Sequence, residues 1–275
     1  MSAQGNVVPK PVAQIDPVWA RIRDEAEAVV QAEPALAGFI FSSVINHTRF
    51  EDAVVHRIAQ RLNHADMDAH LLTSAFEETL EHAPELGAMI RSDVVAVFDR
   101  DPACDRFIDA LLYFKGFHAL QTHRFAHALY RSGRRDFAFY LQSQASRVFS
   151  IDIHPNAAFG RGIFIDHGHG IVVGETARVG DDVSILHGVT LGGTGKENED
   201  RHPKIADGVL IGAGAKILGN LTVGHCSRIA SGSVVLEDVP AKKTVAGVPA
   251  RIVGEAGCSE PSRTMNHMLA AALTQ

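Results

Sequence analysis

The chain has 275 residues, of which 46% are hydrophobic and 21% are charged, and its formal net charge is −6. This composition is typical of a globular protein and excludes collagen-like and largely disordered chains, while the negative charge argues against nucleic-acid binding as the main function. Because 18 of the 24 glycines lie in residues 151–254 and 16 of the 18 aromatic residues precede residue 151, the sequence indicates two regions of different kinds.

The first region, residues 1–150, is predicted to be an all-helical domain that serves in assembly. Asp16 followed by Pro17 is typical of a helix start, and apolar residues recur at helical spacing up to Glu33. Asp101 and Pro102 repeat the cap-and-proline pair and predict another start. Further helices are predicted at about 34–45, 51–63, 68–81, 84–98, 101–111, 112–131 and 134–149.

The second region, residues 151–254, has a period of six. Small or aliphatic residues recur at Ile151, Ala157, Ile163, Ile171, Ala177, Val183, Val189, Ile205, Ile211, Ile217, Val223, Ile229 and Val235. A six-residue unit fits a short strand followed by a tight turn with positive φ, where glycine is tolerated. Three units make an 18-residue coil, which predicts a left-handed parallel β-helix of four to five coils. The steps 163→171 and 189→205 are longer and predict loops near 166–170 and 192–204.

Residues with acid–base chemistry are concentrated at these two loops. The first contains Asp166, His167 and His169, and Asp152 lies about one coil earlier. A histidine that is oriented by a carboxylate can act as a general base. Along the predicted coil, Asp152 and His167 come only roughly into register with each other. The residues also have structural interpretations: the histidine can satisfy loop backbone, and aspartates are common turn formers.

The glycine-rich stretch at 192–196 does not predict a nucleotide triphosphatase. The phosphate-loop pattern would require glycine at 190 and Ser or Thr at 197, where Thr190 and Glu197 stand.

Several long motifs resemble those of serine O-acetyltransferases. They are DIHP (152–155), GRGIFIDHGHGIVVGETA (160–177), VTLGGTGK (189–196), DRHPKI (200–205), GAGAKILGN (212–220), AGVPARIVG (246–254) and, in the helical region, RDPACD (100–105) and LLYFKGFHALQTHR (111–124). The resemblance covers about residues 16–254. It implies transfer of an acetyl group from acetyl-CoA to the hydroxyl of L-serine, which gives O-acetyl-L-serine and CoA in cysteine biosynthesis.

The resemblance also implies roles for individual residues. His167 would be the general base and Asp152 would orient its ring. Asp101 and Asp166 would hold the substrate ammonium, and its carboxylate would be bound by Arg201 and His202. The implied acetyl-CoA contacts are Gly193, which we expect to stabilise the oxyanion, together with Ala213, Arg228, Ser231, Lys242 and Lys243. Arg228 and Ser231 depart from the family, which usually has Lys and Ala there. No metal is implied.

The same resemblance implies partners. The acetyl-CoA groove lies between neighbouring β-helices, so the chain is expected to form a homotrimer, and paired helical domains would give a dimer of trimers. Family members that dock with O-acetylserine sulfhydrylase end in isoleucine, whereas this tail (255–275) has an apolar stretch, Met268–Leu273, and ends at Gln275. Weak or absent docking is therefore expected. Feedback inhibition by cysteine is implied as well.

Three other function classes stay open. One is an acyltransferase of the same fold with a sugar or amine acceptor. Another is a zinc β-helix hydrase that would use histidines from the set His154, His167, His169, His187 and His202. The third is a scaffold without catalysis.

Three cysteines without a CxxC spacing, the lack of a signal-peptide pattern and the absence of a long apolar run predict a cytoplasmic location.

Overall fold

The computed structural model describes residues 16–195 and 198–268. The predictions that fall on Lys196, Glu197 and the end of the tail beyond Met268 therefore lie outside the described residues. Within the described part, no single helix combines the length and apolar character of a membrane span. A pair of helical segments, Pro17–Ala32 and Pro34–Ile45, meets that test only when taken together across a 120° bend.

The first part of the chain is helical up to Phe149, as predicted. The helices are α1 (Pro17–Ala32), α2 (Ala37–Ile40), α3 (Phe50–Leu62), α4 (Ala69–His82), α5 (Glu85–Arg100), α6 (Phe107–Leu112), α7 (Lys115–Arg131) and α8 (Arg135–Phe149); α2 is flanked by a 3-10 turn (Pro34–Leu36) and a π-helical turn (Phe41–Ile45). The predicted cap at Asp16 is confirmed, because its carboxylate accepts a hydrogen bond from the Trp19 N–H at 3.1 Å.

The predicted helix start at Asp101 is wrong. Asp101 instead ends α5, with an extended backbone (φ −94°, ψ 109°), and the next helix begins only at Phe107. Its carboxylate accepts the Ala103 N–H at 2.9 Å, which is the turn that aspartate forms outside helices. A capping residue and a following proline therefore mark a turn here, and this leaves the Asp101 side chain in a loop.

The second part is a parallel β-helix of about five turns. Its strands are β1 (Ile151–Ile153), β2 (Ala158–Phe159), β3 (Phe164–Ile165), β4 (Ile171–Val173), β5 (Arg178–Val179), β6 (Ser184–Ile185), β7 (Thr190–Gly192), β8 (Lys204–Ile205), β9 (Leu210–Ile211), β10 (Lys216–Leu218), β11 (Thr222–Val223), β12 (Arg228–Ile229), β13 (Val234–Val235), β14 (Lys243–Gly247) and β15 (Ala250–Glu255), and a short helix, α9 (Pro261–Thr264), follows. All pairings between coils are parallel, and β15 returns antiparallel to β14.

The strands form three faces. Face 1 contains β1, β4, β7, β10 and β13; face 2 contains β2, β5, β8 and β11; face 3 contains β3, β6, β9, β12, β14 and β15. We name the turns between them corner 1–2, corner 2–3 and corner 3–1. All thirteen residues of the predicted period-six column are buried.

The length of the second loop was overestimated. Arg178 lies opposite Lys204, and Lys204 in turn lies opposite Thr222. The coil that contains the loop is therefore longer than the coil after it by eight positions, whereas the predicted step of sixteen implies ten. On each face, two positions that are two residues apart point inward. The predicted period-six residues occupy one of these positions before the loop and the other one after it.

Positive φ values are found mainly at two of the three corners. At corner 3–1 and the position that precedes β1 they occur at Ser150, His167, Gly168, Gly170, Gly188, Gly214 and Gly232, and at corner 2–3 at Gly162, Asp182, Gly208, Cys226 and Lys242. Among the described residues of corner 1–2, only Gly219 has this conformation. Positive φ thus accounts for nine of the 18 glycines in residues 151–254, and several others, such as Gly174 and Gly224, leave no room for a Cβ.

A buried ion pair fixes the helical region to the first coil. The carboxylate of Asp93 in α5 accepts from Arg124 of α7 at 2.7 and 2.9 Å and also from the Ile163 N–H at 3.0 Å. Arg124 in turn donates to the carbonyl oxygen of Gly160 at 2.7 Å. Breaking a buried pair of this kind typically costs about 3–5 kcal/mol. Helices α5 and α7 are therefore held in a defined position against the edge of the β-helix.

Candidate active site

Corner 3–1 of the first coil carries a cluster of ionisable side chains. The two-residue insertion after β3 turns the chain outward there, with His167 at φ 53° and Gly168 at φ 69°. Four residues, Asp101, Asp166, His167 and His187, form what we call the His167 cluster. The His167 side chain is 77% exposed, its Nε2 lies 3.7 Å from Asp166 Oδ1, and its ring centroid is 6.1 Å from that of His187.

The charges around Asp166 act on its carboxyl group. Burial raises the pKa of its carboxyl group, and the charge of Asp101 raises it further, whereas His167 and His187 act in the opposite direction. Two carboxylates near each other favour a cation between them. Asp101 thus lies within electrostatic range of the neighbouring Asp166 and His167, and the joint binding of a substrate by these residues stays a prediction.

Two helices position this cluster. Helix α5 ends at Arg100 and places Asp101 directly after it, while α7 begins beside β3. Gly116 of α7 packs so closely on the strand that an added Cβ would lie 2.1 Å from the carbonyl oxygen of Ile165. The residue that precedes Asp166 is thus in direct contact with the helical region.

A second cluster lies at corner 1–2 and on the adjoining strand β1, which carries Asp152. We call Asp152, His154, Glu175, Arg201 and His202 the Arg201 cluster. The lengthened coil places Arg201 and His202 beside Glu175 and Thr176, and Arg201 donates to the Glu175 carboxylate at 2.8 Å. This hydrogen bond is the main cause that lowers the pKa of Glu175.

The histidines of this second cluster both have lowered pKa values. Burial lowers the pKa of His202, and the neighbouring Arg201 charge lowers it further. Burial also lowers the pKa of His154, whose ring lies against Phe139 and Tyr130 at centroid distances of 5.5 and 6.0 Å.

Asp152 is not paired with His167 within one chain. Its carboxylate instead accepts a hydrogen bond from Gln142 of α8 at 2.6 Å, and within the described ranges no hydrogen bond or ion pair joins it to His167. Asp152 lies in β1 on face 1, opposite Val172 of β4. His167 lies at corner 3–1, which comes directly before β4 in the chain. A three-residue strand of face 1, about 10 Å long, separates the two corners.

The predicted acetyl-CoA contacts are spread over several places. Ala213 and Ser231 stack at corner 3–1, on the same side of the β-helix as His167. The Gly232 N–H donates a hydrogen bond there to the Ala213 carbonyl oxygen at 2.8 Å. Gly193 is exposed at the start of the second loop, next to Arg201.

The three basic contacts lie elsewhere. Arg228 is buried on face 3, where it donates to Thr244 at 3.2 Å and to the carbonyl oxygen of Asn266 at 2.9 Å. Lys243 pairs with Glu255, and Lys242 is exposed at corner 2–3. The C-terminal segment thus covers the Arg228 guanidinium in this structure.

The sequence reasoning missed Gly174, Glu175 and Thr176. The signal was in the sequence, because the lengthened coil brings positions 175 and 176 opposite positions 201 and 202. The ten-residue insertion that we inferred from the sequence hid this register. In the part of the chain that the structure describes, no group of three or more His, Cys, Asp or Glu side chains is arranged to hold a metal ion.

Comparison with known proteins gives consistent results along the chain. Residues 18–122 match the family described as serine acetyltransferase, N-terminal, and residues 202–237 match the bacterial transferase hexapeptide family. A curated serine acetyltransferase from Salmonella typhimurium is 50% identical over 256 residues, which is 93% of this chain and 94% of that protein.

Solved structures agree. A serine acetyltransferase from Brucella abortus in complex with coenzyme A is 59% identical, with a TM-score of 0.88 over 90% of this chain and 100% of that one. Soybean serine acetyltransferase complexed with serine is 47% identical, with a TM-score of 0.84 over 86% and 97% of the two chains. The chain therefore belongs to the serine acetyltransferase family, the acyltransferases that acetylate the hydroxyl of L-serine with acetyl-CoA in cysteine biosynthesis.

Proposed function

We propose that His167 is the general base of acetyl transfer and that two neighbouring chains complete each active site. The observation that carries this proposal is the position of Asp166, whose carboxylate lies 3.7 Å from His167 and within the electrostatic range of Asp101. Two carboxylates suit the ammonium group of a free amino acid, and the adjacent imidazole then lies next to its hydroxyl.

The other end of the substrate requires positive or donor groups. Arg201 and His202 supply them, but they lie at corner 1–2, one strand away from His167. A three-fold assembly that packs corner 3–1 of one chain against corner 1–2 of the next would unite the two halves. We therefore propose a homotrimer as the smallest active unit and a dimer of trimers formed by the helical domain (1–150).

The proposed reaction is a direct transfer. His167 takes the proton from the serine hydroxyl while the oxygen attacks the thioester carbonyl carbon of acetyl-CoA. The tetrahedral intermediate then expels CoA as a thiolate, which receives the proton from the His167 imidazolium. Asp152 of a neighbouring chain orients the ring, and the Gly193 N–H stabilises the oxyanion.

We assign acetyl-CoA to the groove between the β-helices (151–254) of adjacent chains. Ala213 and Ser231 would line it near His167, and Arg228, Lys242 and Lys243 are the proposed phosphate contacts. Because Arg228 donates to Asn266, the C-terminal segment (255–275) would have to release this side chain first.

Two further assignments are proposals of the same kind. The three free cysteines support a reducing, cytoplasmic location. Weak or absent docking of O-acetylserine sulfhydrylase stays a prediction, since the residues on which it depends lie outside the described ranges.

The proposed base is tested by following CoA release with a thiol reagent, in the presence of acetyl-CoA and L-serine. We expect His167→Ala to lower kcat by about 10²- to 10⁴-fold, the usual contribution of general base catalysis. His225→Ala, an exposed residue at corner 2–3, is the control and should leave kcat unchanged. Full activity of the His167→Ala variant would contradict the assignment.

A further inference from the structure

Thr176 makes an unusually complete set of hydrogen bonds with the substrate-binding pair. Its hydroxyl oxygen accepts from the Arg201 N–H at 3.0 Å and from the His202 N–H at 3.1 Å, and it lies 2.9 Å from His202 Nδ1. A hydroxyl group has two acceptor positions and one donor. Because both acceptor positions are taken by backbone N–H groups, the hydroxyl proton is left for the two acceptors beside it, His202 Nδ1 and the Asp200 carboxylate.

A second contact fixes the state of the same ring nitrogen. The backbone N–H of Thr176 also points at His202 Nδ1, at 3.2 Å. An amide N–H can only donate, so Nδ1 must be the acceptor and carries no proton. An imidazole whose Nδ1 accepts a hydrogen bond is neutral, and burial and the charge of Arg201, which lower the pKa of His202, favour this form. Since a neutral imidazole has one N–H, that proton is on Nε2.

The ring is fixed in place as well as in protonation. His202 is only 7% exposed, and its Nε2 lies over Gly174, where an added Cβ would be 1.9 Å away. Among the described residues, Nε2 has no hydrogen-bond partner. Other charged groups that influence this ring are Arg201 and Lys204 on its own segment, Glu175 on the neighbouring coil and His154 on the first coil.

We propose that Thr176 is a positioning residue that selects the Nε2–H tautomer of His202, so that the ring presents a neutral N–H donor to the carboxylate of the substrate. This inference rests on the carboxylate-binding role proposed for Arg201 and His202. The opposite tautomer would present a lone pair to the carboxylate and repel it. Gly174 serves the same arrangement by leaving room for the ring.

One test compares substitutions at Thr176. Valine keeps the shape of threonine but removes the hydroxyl, which leaves the N–H groups of Arg201 and His202 without their acceptor. We expect Thr176→Val to raise KM for L-serine about tenfold or more, with a much smaller change in KM for acetyl-CoA, and Thr176→Ser to restore most of the affinity. Thr122→Val is the matched control, because Thr122 is buried and bonds only within α7.

A second test addresses the tautomer. The terminal amide of glutamine reaches the place of Nε2, whereas the shorter amide of asparagine reaches that of Nδ1. We expect His202→Gln to have a KM for L-serine at least about fivefold lower than that of His202→Asn. The ¹⁵N shifts of the His202 ring in the complete, selectively labelled protein should show the proton on Nε2.

The outcomes separate the two levels of the proposal. If His202→Ala leaves KM for L-serine unchanged, the proposed carboxylate site is wrong. If His202→Ala raises this KM but the Asn variant equals the Gln variant, or Thr176→Ser behaves like Thr176→Val, only the tautomer assignment is overturned.

Discussion

The two halves of the proposed active site differ in how completely a single chain builds them. His202 of the Arg201 cluster is 7% exposed and is held through both its ring and its backbone N–H by Thr176. His167 of the His167 cluster has a 77% exposed side chain, and its nearest carboxylate, that of Asp166, lies 3.7 Å away. The proposed carboxylate-binding half has its hydrogen bonds within one chain, while the side chain of the proposed base is largely exposed on that chain.

This difference indicates where the assembly contributes. A half-buried cluster that is joined by hydrogen bonds has many of its contacts already, so a partner adds little to its geometry. An exposed histidine on a strained turn has few contacts of its own, and its orientation depends on what packs against it. We infer that oligomerisation acts mainly on the His167 cluster, by bringing the Arg201 cluster of another chain beside it.

The largest expected effect is complementation between two inactive variants. The His167→Ala and Arg201→Ala chains should each have little activity alone. After the two are unfolded or dissociated together and reassembled, random trimers should contain about a quarter of sites with both wild-type residues. Activity should therefore rise from near zero to about a quarter of the wild-type value.

The control for this experiment is a mixture of two variants that affect the same half. His167→Ala mixed with Asp166→Ala should stay inactive, because both residues come from the same chain. If the first mixture also stays inactive while the chains exchange, a site shared between chains is ruled out. The mass of the assembled protein, as a multiple of 29.6 kDa, gives its stoichiometry independently.

A smaller effect is expected from the contact between α7 and β3. In Gly116→Ala the new methyl group would overlap the carbonyl oxygen of Ile165, so the helix or the strand must move. Since Ile165 precedes Asp166, we expect kcat/KM for L-serine to fall about 10- to 100-fold, as displacements of about 1 Å do in enzymes. Gly38→Ala, where nothing lies within 4 Å, is the control and should retain full activity. Normal activity of the Gly116→Ala variant would show that the His167 cluster does not depend on this contact.

Much of the fold could be predicted from the sequence, because its signals are local. Apolar spacing marked the helices, and a period of six marked the coils, since the inward positions of this narrow solenoid are mostly small or aliphatic; Phe159 on the first coil is an exception. The start at Asp101 was wrong because aspartate followed by proline stabilises a turn as well as a helix cap. The second loop was misjudged because each strand has two inward positions, and a one-residue pattern cannot distinguish them.

The candidate site was less predictable because its contacts are long-range. His167 and Asp166 were adjacent in sequence and could be found together. The role of Thr176 depends on a hydrogen bond to the next coil, which only the correct coil length reveals. Asp152 was expected beside His167, but within one chain its carboxylate is bonded to Gln142, a residue of the helical region that the repeat pattern does not describe.

The smallest effect concerns the pH dependence of substrate binding. Burial raises the pKa of Asp166, and the negative charge of Asp101 raises it further. The ionised carboxylate is the form that holds an ammonium group, so affinity for L-serine should be lost as the pH falls through this raised pKa. Asp101→Asn removes the like charge and should move the acid limb of 1/KM for L-serine to lower pH, although KM itself becomes higher. Thr122→Val, which is remote from the cluster, should leave the limb where it is in the wild-type protein. A limb that stays in place in Asp101→Asn, or moves to higher pH, would show that Asp101 and Asp166 do not act on the same substrate group.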